Sequence, residues 1–275
     1  MAARNEVIGL HPWFGTPAGR YLTAWEQSRV DRAVGDLFGY HGVQLGLPWF
    51  DGLRANRMPH RWLVGGPDDL EPQAGTLAGA PDMLLPPRFR PAIHADFGAL
   101  PFDSRSLDLV LMPHTLELTA DPHAALREVE RTLVPEGRVV IAGLNPVSFW
   151  GLKQRRARVA QRLGLGQRYL PDAVNFIGYW RLRDWLRLLS FEVESVHFGC
   201  WRPALRSQRW LDRTAWMDPL GGRWWPIFGA AYFVVAVKRV PGMRRMEKPR
   251  KLPAVRAVAP AASVAGRSLP DNPPS

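Results

Sequence analysis

A histidine and a glutamate stand where the sequence could support acid–base chemistry. His114 follows the apolar run at residues 107–112, and open α/β sheets bind their ligands just beyond the carboxyl ends of their strands. Because the reference pKa of histidine is near neutrality, His114 is a candidate general base. Glu117 could orient His114 or a substrate. The alternative is that His114 is only a hydrogen-bonded histidine at the rim of such a site.

These two residues must be positioned by a strand, a helix and a second strand. Residues 107–112 are almost wholly apolar, which is typical of a strand buried on both faces of a parallel sheet. Asp121 and Pro122 predict the N-cap and first turn of a helix, and the turn signal at 135–137 predicts its end. The apolar stripe of that helix is Ala125, Leu126, Val129 and Leu133. Residues 139–141 predict the next strand, so the order suits one right-handed crossover in an α/β fold.

The same region carries a longer set of residues in one register. They are Asp96, Phe97, Leu100, Pro101, Phe102, Ser106, Leu107, Asp108, Leu109, Val110, His114, Leu116, Glu117, Asp121, Pro122, Ala125, Leu126, Arg127, Glu128, Arg131, Thr132, Leu133, Pro135 and Gly137. This set resembles the second half of class I S-adenosylmethionine-dependent methyltransferases, in the small-molecule branch called type 11. A bacterial subgroup of that branch is similar at Asn145, Pro146, Ser148, Trp150, Gly151 and Leu152. The resemblance covers roughly residues 38–200. It implies a Rossmann-like seven-stranded methyltransferase sheet with helices on both faces, and S-adenosyl-L-methionine as cofactor.

The resemblance is weakest at the loop after the first strand. In the family this loop is an acidic residue followed by Gly-x-Gly-x-Gly, whose bare backbone approaches the methionine part of the cofactor. Here Gly46 is followed by Leu47, Pro48 and Trp49, and the next glycine is Gly52. Proline also removes an N–H donor. Since each lost hydrogen bond costs about 1 kcal/mol, we expect a weakened cofactor contact at Gly46 rather than a lost one.

Carboxylates after the second and third strands are expected to hold the rest of the cofactor. The resemblance implies that Asp68 or Asp69 pairs with the two ribose hydroxyls, and a plain Gly-Pro-Asp-Asp turn is the alternative. It also implies that Asp96 accepts the adenine amino group, while the Phe97 N–H addresses a ring nitrogen above an apolar floor. A loop-capping aspartate is the alternative for Asp96.

Methyl transfer requires little acid–base catalysis from the protein. It is an in-line displacement at a sulfonium carbon, so the site mainly positions donor and acceptor and excludes water. The position of Met112 and His114 after the fourth strand places them against the cofactor. A base is needed only when the acceptor has a proton to lose. Asn145-Pro146 is not an Asn-Pro-Pro-Tyr-type site, because it ends the fifth strand and not the fourth. Phosphate-loop, zinc-protease and serine-hydrolase motifs are missing from the sequence. Cys200 is the only cysteine, so no metal site is expected from a cysteine cluster.

The chain is expected to have three parts. These are an N-terminal helical extension (1–40), a methyltransferase-like domain (41–240) and a disordered basic tail (241–275) rich in Pro, Ala and Val. Thr16 opens the N-terminal helix and Gly39 ends it, and the helix is either a lid over the cofactor or an ordinary packing helix. Its buried face is expected to include Leu22, Trp25, Arg29, Ala33, Val34 and Leu37.

A tryptophan-rich insertion at about 200–226 precedes the expected last strand, which completes seven strands as an antiparallel hairpin. The tryptophans are Trp201, Trp210, Trp216, Trp224 and Trp225. In this family such an insertion caps the acceptor pocket. Its aromatic side chains suggest an apolar or ring-containing acceptor, or a position at a membrane surface. Ordinary core packing is the alternative.

The net charge of +11, with a pI near 10.7, is unevenly spread. Besides the tail, Arg155, Arg156, Arg158 and Arg162 lie in a stretch, 151–171, that has no acidic residue. This stretch is either a solvated helix face or a contact for an anionic surface, such as nucleic acid or lipid headgroups. No secretory signal opens the chain, and its longest apolar run is too short to cross a bilayer. We therefore expect a cytoplasmic protein without a transmembrane segment.

These features predict an S-adenosylmethionine-dependent methyltransferase that acts on a small-molecule or lipophilic acceptor. Two alternatives stay open. The basic stretches favour an RNA methyltransferase, and the interrupted glycine loop favours a non-catalytic binding module that keeps the fold but has lost the cofactor.

Overall fold

A seven-stranded sheet forms the centre of the protein. The computed structural model describes residues 13–66, 91–162, 176–205 and 207–239, with backbone only at 158–162. The strands are β1 (His41–Leu45), β2 (His60–Gly65), β3 (Ile93–His94), β4 (Leu107–Pro113), β5 (Leu133–Leu144), β6 (Phe191–Gly199) and β7 (Ala231–Lys238). Their order in the sheet is β3-β2-β1-β4-β5-β7-β6.

One strand reverses the direction of an otherwise parallel sheet. β7 runs antiparallel to β5 on one side and to β6 on the other, whereas the remaining neighbours are parallel. The predicted seven strands with an antiparallel final hairpin are therefore confirmed. β4 lies between two parallel neighbours, as its nearly continuous apolar run predicted.

Helices pack on both faces of the sheet. They are α1 (Pro17–Gly35), α2 (Thr115–Leu118), α3 (Pro122–Thr132), α4 (Phe149–Arg162), α5 (Tyr179–Leu188), α6 (Gln208–Arg213), α7 (Met217–Trp224) and a 3-10 turn at Pro226–Phe228. Leu109 and Leu111 of β4 join the core cluster that contains α1, and Val110 and Met112 join the cluster that contains α3 and α5. The alternation follows from the two-residue period of a strand.

The predicted N-cap of α3 is confirmed, but its predicted end is wrong. The Asp121 carboxylate accepts hydrogen bonds from the N–H groups of His123 (2.9 Å) and Ala124 (3.0 Å), with Pro122 in the first turn. The helix ends at Thr132, three residues before the turn signal. The chain enters β5 at once, and the register shift between Leu107 and Leu109 of β4 shows that residues 134–137 form a bulge within that strand.

Helix α1 buries a face that overlaps the predicted one only in part. It ends at Gly35 instead of Gly39, and its buried side chains recur every four residues. They are Ala18, Leu22, Glu26, Val30 and Val34. Trp25 and Ala33 of the predicted face are only partly buried, and a carboxylate lies in the middle of the observed stripe.

The tryptophan-rich insertion forms α6, α7 and the 3-10 turn. Trp210, Trp216, Trp224 and Trp225 are exposed, so ordinary core packing does not explain these four side chains. Across the described helices, none combines the length and the apolar character needed to span a bilayer. The predicted tail at 241–275 lies outside the described residues.

Candidate functional site

Gly46, Phe97 and Thr115 lie together at the carboxyl ends of β1, β3 and β4, respectively. Gly46 follows β1 with φ +76°, in the left-handed region that favours glycine. A Cβ on Gly46 would lie 3.6 Å from the Phe97 ring and 3.9 Å from Thr115 Oγ1. The Thr115 hydroxyl donates a hydrogen bond to the Leu45 carbonyl (2.6 Å), which ties the start of α2 to the end of β1. Two of the predicted cofactor residues, Gly46 and Phe97, are therefore neighbours.

The loop after β1 is organised by a buried glutamine that the sequence analysis missed. The Gln44 side-chain nitrogen lies within hydrogen-bonding distance of the carbonyls of Gly46 (3.0 Å), Leu47 (3.1 Å) and Phe50 (2.7 Å). Its side-chain oxygen accepts from the Gly52 N–H (2.9 Å). The Gln44 side chain thus holds the loop in place through hydrogen bonds, although the loop lacks two of the family's three glycines.

The bulky residues of this loop point into the core. Leu47 has φ +50°, and Leu47 and Phe50 are buried in the core cluster that contains α1. Phe97 belongs to the cluster on the opposite face of the sheet. A Cβ on Gly52 would lie 2.1 Å from Leu111 Cδ2, so this position needs glycine for close packing. The Leu47 and Phe50 side chains therefore do not pack on the Phe97 side of the sheet.

Asp96 is exposed and lies at the turn before Phe97. Its Oδ1 accepts a hydrogen bond from the Gly98 N–H (2.9 Å), so the loop-capping contact considered from the sequence is present. This contact uses one carboxylate oxygen. The other predicted carboxylates, Asp68 and Asp69, lie outside the described residues.

A buried chain of three ionisable side chains lies at the end of β4. His114 Nδ1 is 2.7 Å from Glu117 Oε2, and His114 Nε2 is 3.0 Å from Glu26 Oε1 of α1. All three side chains are at most 2% exposed. The Leu144 N–H of β5 donates to Glu117 Oε1. The three residues therefore join α1, α2 and the ends of β4 and β5.

Electrostatics decide the charge of His114. Burial disfavours the imidazolium, but the carboxylates of Glu26 and Glu117 outweigh burial and raise the pKa of His114 to about 10. Burial raises the pKa of Glu117, and the His114 charge opposes that shift. The raised pKa favours the cationic form of His114 at neutral pH, and each ring nitrogen faces a glutamate side chain. This arrangement offers no free lone pair to a substrate, which the predicted general-base role requires.

The backbone of His114, the central residue of the three, is strained. His114 has φ +53°, a region that non-glycine residues rarely adopt. Its N–H donates to the Ala142 carbonyl of β5 (2.8 Å). Such strain persists where the surroundings fix a residue, which is common at functional edges.

Two of the residues that organise this edge could have been found in the sequence. Glu26 interrupts an otherwise apolar four-residue period in α1, and Gln44 is a polar residue within a short strand that is otherwise buried. A polar residue where burial is expected signals a specific partner, because an unpaired one is costly. Their partners could not be read from spacing, since 88 residues separate Glu26 from His114.

The remaining predicted residues lie apart from this edge or within the core. Met112 is fully buried in the cluster that contains α3. Arg155 and Arg156 are exposed on α4, and the side chains of Arg158 and Arg162 are outside the described residues.

Two open clefts lie on the α1 face of the sheet. One, of about 460 Å³, is lined by Phe149, Leu152, Lys153, Arg156, Pro203, Ala204, Leu205 and Met217. The other, of about 400 Å³, is lined by Pro17, Arg20, Tyr21, Arg202 and Gln208. Neither cleft is lined by a predicted cofactor residue.

Comparison with known proteins bears directly on the family. Residues 74–141 match a family model described as a methyltransferase domain. Residues of this chain are 39% identical over 101 positions to the uncharacterized protein YafS of Escherichia coli (strain K12), covering 37% of this chain and 39% of that protein. They are 41% identical over 54 positions to the demethylmenaquinone methyltransferase of Chlamydia pneumoniae, covering 20% of this chain and 24% of that protein. The chain thus spans well under half the length of both relatives.

Similarity to solved structures is low. A Thermotoga maritima S-adenosylmethionine-dependent methyltransferase, described as a possible histamine N-methyltransferase, is 17% identical with a TM-score of 0.49, over 84% of this chain and 100% of that chain. At this level of similarity the fold assignment rests on the strand order. The strand order and the family match over residues 74–141 both agree with the predicted methyltransferase class.

Proposed function

We propose that this chain, a class I S-adenosylmethionine-dependent methyltransferase by its strand order and family match, binds S-adenosylmethionine at the carboxyl ends of β1, β3 and β4. It then transfers the methyl group to a small or lipophilic acceptor. The observation that carries the proposal is that the Gly46 backbone lies beside the buried Phe97 ring. A Cβ added to Gly46 would be 3.6 Å from Phe97 Cζ. A bare backbone next to an apolar ring fits a cofactor with a narrow sulfonium chain and a flat base.

Each cofactor residue has a specific proposed role. The Asp96 oxygen that does not contact the Gly98 N–H accepts the adenine amino group, and the Phe97 N–H addresses a ring nitrogen. Asp68 or Asp69 accepts from the ribose hydroxyls. S-adenosylmethionine supplies the methyl group, and the chain positions it and keeps water away.

We assign His114 a structural role: it holds α1 against the end of β4 and does not remove a proton from the acceptor. The ion pairs with Glu26 and Glu117 hold α1 against the end of β4, where the acceptor must approach. This agrees with a packing role for α1 that also closes one side of the site. Met112 supports the same edge from within the core.

The lipophilic acceptor is supported by two observations. The insertion carries exposed tryptophans, whose large apolar rings suit an apolar or ring-containing molecule. The relative from Chlamydia pneumoniae is named for a methyltransferase that acts on demethylmenaquinone, a name that agrees with a lipophilic ring as acceptor.

Calorimetric titration with S-adenosylmethionine and with its demethylated product, S-adenosylhomocysteine, tests the proposal. We expect micromolar affinity, about −8 kcal/mol. The Asp96→Ala variant should bind S-adenosylhomocysteine about tenfold or more weakly, because it loses a hydrogen bond to a charged acceptor. Asp103→Ala is the matched control, since Asp103 is an equally exposed carboxylate in the following turn.

Three results would count against the assignment. Equal affinities of the Asp96→Ala variant and the wild type would remove Asp96 from the adenine site. No binding at millimolar ligand would favour the non-catalytic module. Steeply salt-dependent RNA binding would favour the RNA methyltransferase.

A further inference from the structure

An exposed apolar surface lies at the junction of α4, α7 and the 3-10 turn. We define the aromatic face as the side chains of Phe149, Leu152, Trp224, Trp225, Ile227 and Phe228. Each is more than two-fifths exposed, and Trp224 is 68% exposed. Scattered exposed apolar residues are ordinary, whereas a contiguous group marks an interaction surface.

One ring contact and adjacency along the chain connect these side chains. The rings of Phe149 and Phe228 stack with centroids 6.1 Å apart, which joins the start of α4 to the 3-10 turn. Phe149 and Leu152 also line a cleft with Met217, the first residue of α7. Helix α7 then leads directly to Trp224 and the rest of the turn.

The backbone beneath the aromatic face is held by hydrogen bonds. The buried Asn145 side-chain amide donates to the carbonyls of Ile227 (2.6 Å) and Gly229 (3.0 Å). The Trp201 indole N–H donates to the Trp225 carbonyl (3.0 Å), and a Cβ on Gly221 would come within 2.2 Å of the Trp201 ring. The aromatic rings are thus presented to solvent by a fixed backbone.

Positive charge surrounds the aromatic face. Lys153 and Arg156 line the cleft beside Phe149, and Arg223 is exposed on α7 just before Trp224. The acidic residues of the described insertion are Asp212 and Asp218, and Asp218 is paired with Arg202 (2.9 Å). The surface therefore complements an anionic partner.

We propose that the aromatic face docks on the surface of an anionic lipid bilayer. Tryptophan and phenylalanine enter the boundary between headgroups and acyl chains, while lysine and arginine keep their charges at the headgroups. Each such basic residue strengthens binding to an anionic membrane about fivefold. Leu152 and Ile227 gain from acyl-chain contact but not from stacking on bases, so a membrane fits this surface better than RNA does. The docking uses no residue of the proposed cofactor site.

Cosedimentation of the full chain with lipid vesicles tests the proposal. We expect binding to phosphatidylcholine vesicles that contain phosphatidylglycerol and much weaker binding to phosphatidylcholine alone. The double variant Trp224→Ala/Trp225→Ala should bind about tenfold or more weakly, because two rings leave the interface. Trp180→Ala is the matched control, because Trp180 is similarly exposed but lies on α5, on the opposite face of the sheet.

A charge variant separates the aromatic face from basic residues elsewhere. Arg223→Gln should lower vesicle affinity about fivefold, the equivalent of one headgroup contact. Arg187→Gln, an exposed arginine of α5, should leave it unchanged. In the wild type, brominated lipids should quench tryptophan fluorescence, which is a measurement that needs no variant.

Three outcomes would overturn the proposal. One is equal vesicle affinity of the double variant and Trp180→Ala, which would assign lipid binding to another part of the chain. Another is absence of quenching by brominated lipid in bound wild type. The third is tight RNA binding that the double variant loses while vesicles do not bind, which would make this surface a nucleic-acid site.

Discussion

Glu26, His114 and Glu117 place three ionisable groups in a core that excludes water. A buried charge is tolerated when it is paired, and removing one partner is costly because the other stays buried and uncompensated. Here the central imidazolium separates two carboxylates, with distances of 2.7 Å and 3.0 Å to its nitrogens. His114 therefore stabilises the contact between α1 and the sheet edge where the cofactor is proposed to bind.

The stability of the protein should fall as the pH rises from about 6.5 toward about 10. Burial opposes protonation, yet the two carboxylates raise the folded-state pKa of His114 from 6.5 to about 10. The folded protein keeps a proton across this window that the unfolded chain releases. The stabilisation is thus complete below about 6.5 and is lost as the pH passes through the folded-state pKa. Urea unfolding at a series of pH values measures this slope.

The His114→Gln variant isolates that contribution. It should be less stable at neutral pH by about 3–5 kcal/mol, since it leaves two buried carboxylates without their cation, and its pH profile should be flatter. His123→Gln, an exposed histidine on α3, should keep the wild-type slope. Burial also raises the pKa of Cys200 above 9, which adds a loss of the same sign only at higher pH. Identical slopes in the wild type and His114→Gln would show that His114 does not carry the pH dependence.

At the scale of elements, local patterns predicted those parts of the fold that local physics determines. The apolar run of β4 and the Asp121 N-cap of α3 follow from neighbouring residues, and both are present. The end of α3 was misplaced because strand pairing of Leu133 with Leu107 begins before the turn residues. The buried face of α1 was predicted only in part, because Glu26 in the middle of the buried stripe is a charged residue that an apolar pattern does not include. Its partner lies in a distant element, which no local pattern reveals.

The loop after β1 shows the same limit. Its missing glycines were visible in the sequence, whereas the compensating side chain of Gln44 became evident only through its contacts with residues 46–52. A local departure from a family pattern therefore does not by itself establish a lost structure.

Removing the Gln44 amide should loosen this loop. The Gln44→Ala variant loses contacts to three carbonyls and one N–H, each worth about 1 kcal/mol. We expect its free energy of unfolding to fall by about 2–4 kcal/mol and its affinity for S-adenosylhomocysteine to fall as well. Urea unfolding and calorimetry measure the two effects. Gln208→Ala, at an exposed glutamine of α6, is the control. A stability loss with unchanged affinity would place the loop outside the cofactor site.

At the scale of the whole molecule, two kinds of surface serve different physical purposes. The sheet edge near Gly46 and Phe97 is built from backbone and a buried ring, so its proposed contacts are short-range. The aromatic face and its arginines belong to a chain with net charge +11, whose attraction to an anionic partner acts over a Debye length of about 10 Å at moderate salt. Ionic strength should therefore affect vesicle binding by the aromatic face much more than cofactor binding at the sheet edge.

Raising the salt concentration should release the protein from anionic vesicles while leaving cofactor affinity nearly unchanged. Screening shortens the reach of the arginine charges, so we expect vesicle affinity to fall about tenfold or more over the range in which counterions compete with lipid headgroups. S-adenosylhomocysteine carries no net charge at neutral pH, and its proposed contacts with Phe97 and the Gly46 backbone are not screened. Its dissociation constant should change less than about twofold. Vesicle cosedimentation and calorimetry in the same buffers measure the two affinities. The Arg223→Gln variant should show a shallower salt dependence of vesicle binding than the Arg187→Gln variant. A parallel loss of both affinities would mean that long-range charge also holds the cofactor.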